Sequence, residues 1–356
     1  MKRKSLRSLN VLFLFAFIGA CNPVLGSSGL LPVKSSAPLA TEDPLAPSTA
    51  TPFQPLDPTG IPTKTYTPTP DSTPTNTPPP PWGSYPAPIV AAPTQIPYPM
   101  PTIHFPSYVV NIVLLGSDAR TNPRGGRTDT IIIVSLDAAA GTATMLSVPR
   151  DLYVYIPGWT MNRINTAFAR GGFSLLALTL RYNLGIRVDH WVKINLEGFV
   201  AVIDTLGGID VNVGRSLSDR CQDRDYSFSP GLHHMDGRTA LCYVRMRKTT
   251  SDFDRLRRQQ EVIQAVFNKV LSVDGLSRVP ELFSQFSALI QTSMNLGDIL
   301  PLVPLAAKIG ANPNGIRRYS ITSNLTTSWR VPTSGASVQL PKRSAIQSML
   351  QSAFGQ

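Results

Sequence analysis

Cysteine and histidine are scarce in this chain of 356 residues, with three of the first and four of the second. Cys21, Cys221 and Cys242 form no CxxC pair and have no histidine at a zinc-ligand spacing, which excludes a structural zinc site. His104 lies in a proline-rich stretch, His190 before a strand and His233–His234 in a loop, none beside a nucleophile or metal partner. No GxxxxGK[ST] occurs, so a P-loop is excluded. Internal repeats and nucleic-acid-binding motifs are also missing, and nucleic acid is not a predicted partner. The apolar run at the N-terminus, Val11 to Ala20, is too short to span a bilayer comfortably.

Proline is abundant and unevenly placed. Residues 22–106 hold 23 of the 33 prolines, together with many Thr and Ser, as in TPTPDSTPTNTPPPP. Such a stretch lacks apolar periodicity and is read as a disordered, extended linker. At about 3.1 Å per residue it would reach at most roughly 260 Å. Residues 1–21 before it read as a targeting signal: Lys2, Arg3, Lys4 and Arg7, a short apolar core, then Ile18-Gly19-Ala20-Cys21. The small residues ahead of Cys21 resemble a bacterial lipobox, whose cysteine is acylated after cleavage. An ordinary signal peptide or an uncleaved anchor are the alternatives, and each puts the rest of the chain outside the cytoplasm. Cys221 and Cys242 then remain as a pair in an oxidising space, where a disulfide between them is expected.

Residues 107–356 are left as one folded domain of ordinary size. It carries 27 Lys and Arg against 18 Asp and Glu, a basic balance that suits anionic lipid headgroups or wall polymers. Val109–Leu115, Thr130–Leu136, Thr142–Val148, His190–Leu196 and Ile209–Val213 read as strands, being rich in Val and Ile or alternating. Asn162–Ala169, Phe173–Tyr182, Glu197–Leu206 and Asp252–Leu271 read as helices. Residues 279–356 read as mostly helical, with a short strand near Arg318–Thr322. Strands interleaved with helices predict an α/β fold, a three-layer α-β-α sandwich on a central mixed sheet.

The chemistry lies in arginines paired with acids. Asp118 follows the first strand after Gly116, Arg127 and Asp129 sit where the second begins, and Arg150 and Asp151 follow the third. Strand ends are where open α/β sheets bind ligands. Arg245 and Arg247 alternate with Val244 and Met246, as one face of a strand would. At about 100° per residue, Asp252 and Gln259 fall within the apolar stripe of the following helix, and Arg255 lies at its edge. A fraying first turn with Asp252 as its cap is the plainer reading of that helix end, but it leaves Arg245 and Arg247 unexplained. Guanidinium forks match phosphate oxygens, and one or two carboxylates with phosphate oxygens suit Mg2+. The pattern predicts a polyanion site with a hard cation. Phe173–Leu178 and the Val262–Leu271 helix are candidates for an apolar groove beside it.

In order, GSDAR, RTDT, SVPRD, RINTAF, DGRTALCYVRMR and DFDRLRRQQ resemble the LytR-CpsA-Psr family, over about Val109 to Leu271. The resemblance implies an extracytoplasmic, membrane-attached enzyme at the outer face of the cytoplasmic membrane, tethered here through lipid on Cys21. Such an enzyme binds a polyprenyl pyrophosphate-linked glycan and transfers it, as a phosphoglycan, to a peptidoglycan hydroxyl with Mg2+. It implies Asp118 and Asp129 as metal ligands and Arg127, Arg150, Arg245, Arg247 and Arg255 as pyrophosphate ligands. Asp252 and Gln259 would support them, and Asp129 or Asp151 would serve as general base. A polyprenyl pyrophosphate phosphatase and a non-catalytic, lipid-binding envelope regulator use the same residues. The lipobox-like Cys21 and the long linker depart from the family pattern.

Overall fold

The computed structural model describes residues 82–118, 126–247, 252–272 and 279–355. Cys21, the targeting segment and the linker as far as residue 81 lie outside them. Strands β1 (Val109–Ser117), β2 (Thr128–Asp137) and β3 (Thr142–Ser147) are followed by the hairpin β4 (Tyr153–Ile156) and β5 (Thr160–Arg163), then α1 (Thr166–Leu184). Next come β6 (His190–Asn195), α2 (Leu196–Thr205), β7 (Ile209–Val213), β8 (Leu217–Cys221), β9 (Arg224–Phe228) and β10 (Gly231–Met235). Helices α3 (Gly237–Arg245) and α4 (Asp252–Ser272) lead to α5 (Val279–Ser287), β11 (Ile290–Thr292), α6 (Leu296–Ile299) and α7 (Val303–Ala311). The chain ends with β12 (Ile316–Ser320), the hairpin β13 (Thr326–Arg330) and β14 (Ser337–Pro341), and α8 (Arg343–Phe354).

Six strands form the central sheet in the order β11-β6-β1-β2-β3-β12. The β6–β1 and β3–β12 pairs are parallel and the others antiparallel, giving a mixed sheet. Successive side chains of a strand point to opposite faces, and both faces are covered, as the near-continuous apolar runs predict. Val113, Leu115, Ile131 and Ile133 pack against Leu176 and Leu180 of α1 and Ile346 and Leu350 of α8. On the other face, Leu114, Val192 and Ile194 look toward α2, α3 and α4. The three-layer α/β expectation holds.

Three expectations change. The folded unit does not start at 107. Ile96 and Met100 are buried, and the segment from Trp82 lies on the β4–β5 hairpin and α1. Proline lacks a donor but keeps its carbonyl, and here the domain supplies the donors. Tyr155 and Tyr182 hydroxyls donate to Pro86 and Pro97 carbonyls, each at 2.6 Å. The first of the two helices expected over 162–182 starts later, since residues 160–163 belong to β5; the two are the halves of α1, broken at Gly171 and Gly172, where the backbone is not helical. Finally, residues 279–355 contribute four strands as well as helices, since two sheet edges and a hairpin are completed there.

Candidate active site

The upper ends of β1, β2 and β6 meet at one corner of the second sheet face. Gly116 is needed there, because a Cβ would sit 2.9 Å from Cβ of Thr130 on the neighbouring strand. The chain then leaves β1 at Asp118, exposed, and Asp129 stands near the start of β2. Arg150, just after β3, reaches back to Asp129 at 3.0 Å. Asp151 is braced from two sides, by Arg150 at 3.4 Å and Arg163 at 3.3 Å. Arg163 was not singled out in the sequence; the cue available was its place beside the polar Asn162 and Asn165, two strands of chain away from any acid.

Arg245 and Arg247 arrive by a different route from the expected strand. They lie at the end of helix α3, whose N-cap Asp236 accepts a bond from the Thr239 amide at 2.7 Å. The helix stops at Met246, which turns to extended backbone (φ −52°, ψ 136°) and is buried. The Arg258 guanidinium donates to the Met246 carbonyl at 2.6 Å, and Asp219 accepts from the Arg247 amide at 2.6 Å. The disulfide Cys221–Cys242 ties the β8–β9 hairpin to the same helix. Arg245 and Arg247 therefore flank a pinned methionine and share one side, as the alternation implied, without any strand.

Helix α4 buries more polarity than its apolar stripe suggests. Arg255, Arg258, Gln259 and Gln260 are all buried. Arg258, not singled out in the sequence, is fully buried over the Tyr243 ring, 5.9 Å from its centre. The Gln260 amide donates to Ser147 Oγ and to the Tyr319 carbonyl, both at 2.8 Å. These two hold the helix on α3 and the sheet. Arg255 and Gln259 do not. Arg255 lies 3.4 Å from Asp252, half exposed in the first turn, and Asp129 also acts on its charge. Arg255 Nε and Gln259 Oε1 are buried without a hydrogen-bond partner.

Between the sheet and α2, α3 and α4 lies a cavity of about 630 Å³. Asp118, Asp129, Arg245, Arg247, Arg255 and Gln259 line one end. The remainder is mostly apolar, with Leu114, Val192 and Ile194 from the sheet opposite Phe199, Val262 and Val266 from the helices. The α4 half of the expected groove is thus present. The Phe173–Leu178 half is not, because α1 covers the opposite face and Leu176 is core there. Helix α2 takes its place, and its apolar residues were not singled out in the sequence. Asp252 and the Arg150–Asp151 pair stand behind the lining, bonded to it or to one another. Arg127 is exposed where β2 begins and does not line the cavity.

The charges of this corner are coupled. Burial pulls the Arg150 pKa down, but Asp129, Asp151 and Asp252 more than offset it and hold the group above its ordinary value. Arg255 moves the other way: burial lowers it, Asp252 opposes that, and Arg150 and Arg247 repel it. Both stay protonated at any physiological pH. An incoming polyanion would relieve that repulsion and give Arg255 Nε an acceptor.

Asp118 and Asp129 face the same cavity from two strands, which fits a Mg2+ ion completed by phosphate oxygens and water. No group of three or more acids, histidines or cysteines stands together among the described residues. The corner therefore suits a cation that shares a bound phosphate, not an all-protein cage.

A sequence profile of the LytR_cpsA_psr family matches residues 104–354. Among characterised proteins, the polyisoprenyl-teichoic acid–peptidoglycan teichoic acid transferase TagU of Bacillus subtilis (strain 168) is 36% identical over 195 residues, covering 53% of this chain and 62% of TagU. This chain thus spans about three fifths of that relative's length. TagV of Bacillus subtilis has a similar crystal structure, with a TM-score of 0.60 at 28% identity over 70% of this chain and 98% of that one. A structure of TagT bound to LIIa-WTA is also similar, with a TM-score of 0.56 at 26% identity, over 70% of this chain and 92% of TagT.

Proposed function

The chain belongs to the LytR-CpsA-Psr family, and from that premise we propose that it transfers a phosphoglycan from a polyprenyl pyrophosphate carrier to a hydroxyl of peptidoglycan. One observation carries this reading above others: a single cavity joins an apolar channel to an arginine- and aspartate-lined end. A soluble phosphate ester has no use for the channel, and an ordinary lipid has no use for so many guanidinium groups. A polyprenyl pyrophosphate uses both. TagU by its name moves a teichoic acid from a polyisoprenyl carrier to peptidoglycan, which makes a teichoic acid-like polymer the first donor to try.

In this reading Arg245, Arg247 and Arg255 take the pyrophosphate oxygens, with Gln259 beside them. Arg150 and Asp151, braced by Arg163, keep Asp129 in place. The acceptor hydroxyl attacks the phosphorus next to the glycan. Its new P–O bond forms as the bond from that phosphorus to the bridging oxygen breaks. Polyprenyl phosphate leaves with the electron pair, and the hydroxyl proton passes to a carboxylate of this corner, Asp129 or Asp151. Mg2+ on Asp118 and Asp129, when bound, supplies charge neutralisation and Lewis acidity to the phosphates. The remaining work is positioning by the chain's own residues.

The same reading puts the domain on the outer face of the cytoplasmic membrane, held by lipid on Cys21. Support comes from the signal-like residues 1–21 and from the Cys221–Cys242 bond, which suits an oxidising compartment. The test is mass spectrometry of lipid co-purified from gently extracted membranes. A polyprenyl phosphate or pyrophosphate on the wild-type chain, lost from an Arg150→Ala/Arg245→Ala variant that still folds, is the expected result. Ordinary phospholipid alone, retained equally by both, would contradict it.

A further inference from the structure

Along β1 the domain has two ends of opposite character. The upper end carries Asp118, Arg127, Arg245 and Arg247, all exposed. The lower end is about 26 Å away, from eight steps of roughly 3.3 Å between Val109 and Ser117. There, Tyr108 is 43% exposed and the β2–β3 turn presents Ala138, Ala139 and Ala140 to solvent. The run Ile299–Leu305 leads into α7, and of these seven apolar residues only Leu305 is buried. Leu300 is 46% exposed. Helix α7 is tied to this end, since Lys308 donates to the Ala139 carbonyl at 3.2 Å and the Ala138 amide donates to the Tyr108 carbonyl at 3.4 Å.

Its rim is basic. Lys308 of α7 and Arg317 and Arg318 of β12 are exposed, and Lys269 stands in the last turn of α4, which packs on α7. The acids nearby are engaged as caps: Asp298 accepts from the Asn295 amide and Asp137 from the Ala140 amide. This face is also next to the apolar channel. Val266 lines the channel, and its neighbour Phe267 packs on the cluster of Leu305 and Ile309 just behind the exposed run.

We propose that this lower end docks on the bilayer, and that the carrier's tail enters the channel there; the proposal rests on the carrier-lipid reading above. Leu300 and its neighbours would sit at the headgroup–acyl boundary and the basic rim on anionic headgroups, the arrangement of interfacial apolar segments. A carrier threaded this way has its pyrophosphate lifted on the order of 25 Å from the membrane, toward the wall. Docking is thus part of substrate delivery. Two other exposed apolar spots, Ile89 at 71% and Leu232 at 73%, lie off this face and serve as internal controls.

The test uses the full chain in vesicles of phosphatidylglycerol and phosphatidylethanolamine with spin-labelled acyl chains. A bimane is attached to Leu300→Cys, Ile89→Cys or Leu232→Cys, with the unsubstituted chain as the labelling background. Loss of fluorescence at position 300 and not at 89 or 232 is the expected result. Quenching at 89 or 232 instead, or at none, overturns the proposal. So does shielding at 300 by a second copy without nitroxide quenching. A second measurement separates this from transfer itself. Leu300→Glu/Val303→Glu should lose about tenfold or more in kcat/KM on a vesicle-embedded donor, yet keep wild-type turnover of a short-chain, water-soluble donor. Equal activity of variant and wild type on both donors overturns docking while transfer stands. Quenching at 300 in a chain inert on both donors keeps the docking face and removes transfer.

Discussion

Arg255 gives the sharpest separation of function from stability. It is buried, its Nε has no partner, and Arg150 and Arg247 repel it. An unsatisfied buried polar group costs about 1–3 kcal/mol, while its ion pair with half-exposed Asp252 returns about 0–1 kcal/mol. Arg255→Met keeps the aliphatic volume and removes the charge. The ligand-free protein should gain about 1 kcal/mol, or about 2–4 °C in Tm for a domain of this size. Binding should move the other way. Each charged hydrogen bond to phosphate is worth about 1.5–3 kcal/mol, so affinity for a polyprenyl pyrophosphate should fall about 10- to 150-fold. The assays are denaturant unfolding without ligand and equilibrium binding to a short-chain polyprenyl pyrophosphate. Arg258→Met is the contrast. It abandons the Met246 carbonyl and the stack on Tyr243, and should cost about 3 kcal/mol. An Arg255→Met protein destabilised as much as Arg258→Met would refute the argument, because Arg255 would then be part of the scaffold.

Other outcomes follow from the same geometry. Cys221→Ser/Cys242→Ser opens a 21-residue separation and should lower stability by about 3 kcal/mol, with donor affinity falling as Arg245 and Arg247 loosen; urea unfolding and binding check both. Asp236, the α3 cap, has its pKa lowered by its bonds to Thr239. Its stabilisation is therefore complete above about pH 4, its unfolded value, and fades as pH falls through the lower folded value. Asp236→Ala should cost about 1 kcal/mol at neutral pH and less below pH 4, measured by unfolding across pH. Asp118→Asn and Asp129→Asn should each raise the Mg2+ concentration needed for half-maximal turnover; an unchanged Mg2+ dependence would remove both from the cation site.

The strands and the arginine–acid pairing were legible because they rest on local rules. β1, β2 and β3 are apolar runs ended by glycine or an alternation of Arg and Asp, and the sheet carries them where such runs go. Arg245 and Arg247 were legible as partners but not as elements. The alternation with Met246 arises from one extended residue after a helix, and only the bonds to Arg258 and Asp219 fix it there. Arg258 was not legible, because nothing local announces that Tyr243 and the Met246 carbonyl will enclose it. The channel was half visible. Helix α4 shows its apolar face in sequence, but whether α1 or α2 faces it depends on which side of the sheet each crossover takes. The segment 82–106 was hidden by its prolines, since its order comes from tyrosines more than fifty residues away.

The central claim is transfer, and the most direct measurement follows both products of a donor labelled in the glycan and in the lipid. Incubated with purified chain, Mg2+ and a peptidoglycan oligosaccharide, it should give glycan phosphate covalently joined to the acceptor. Polyprenyl monophosphate should appear in equal amount, and both products should vanish with Arg150→Ala/Arg245→Ala. Monophosphate released at the same rate with or without acceptor, and no label on the oligosaccharide, would contradict the account and leave hydrolysis in its place.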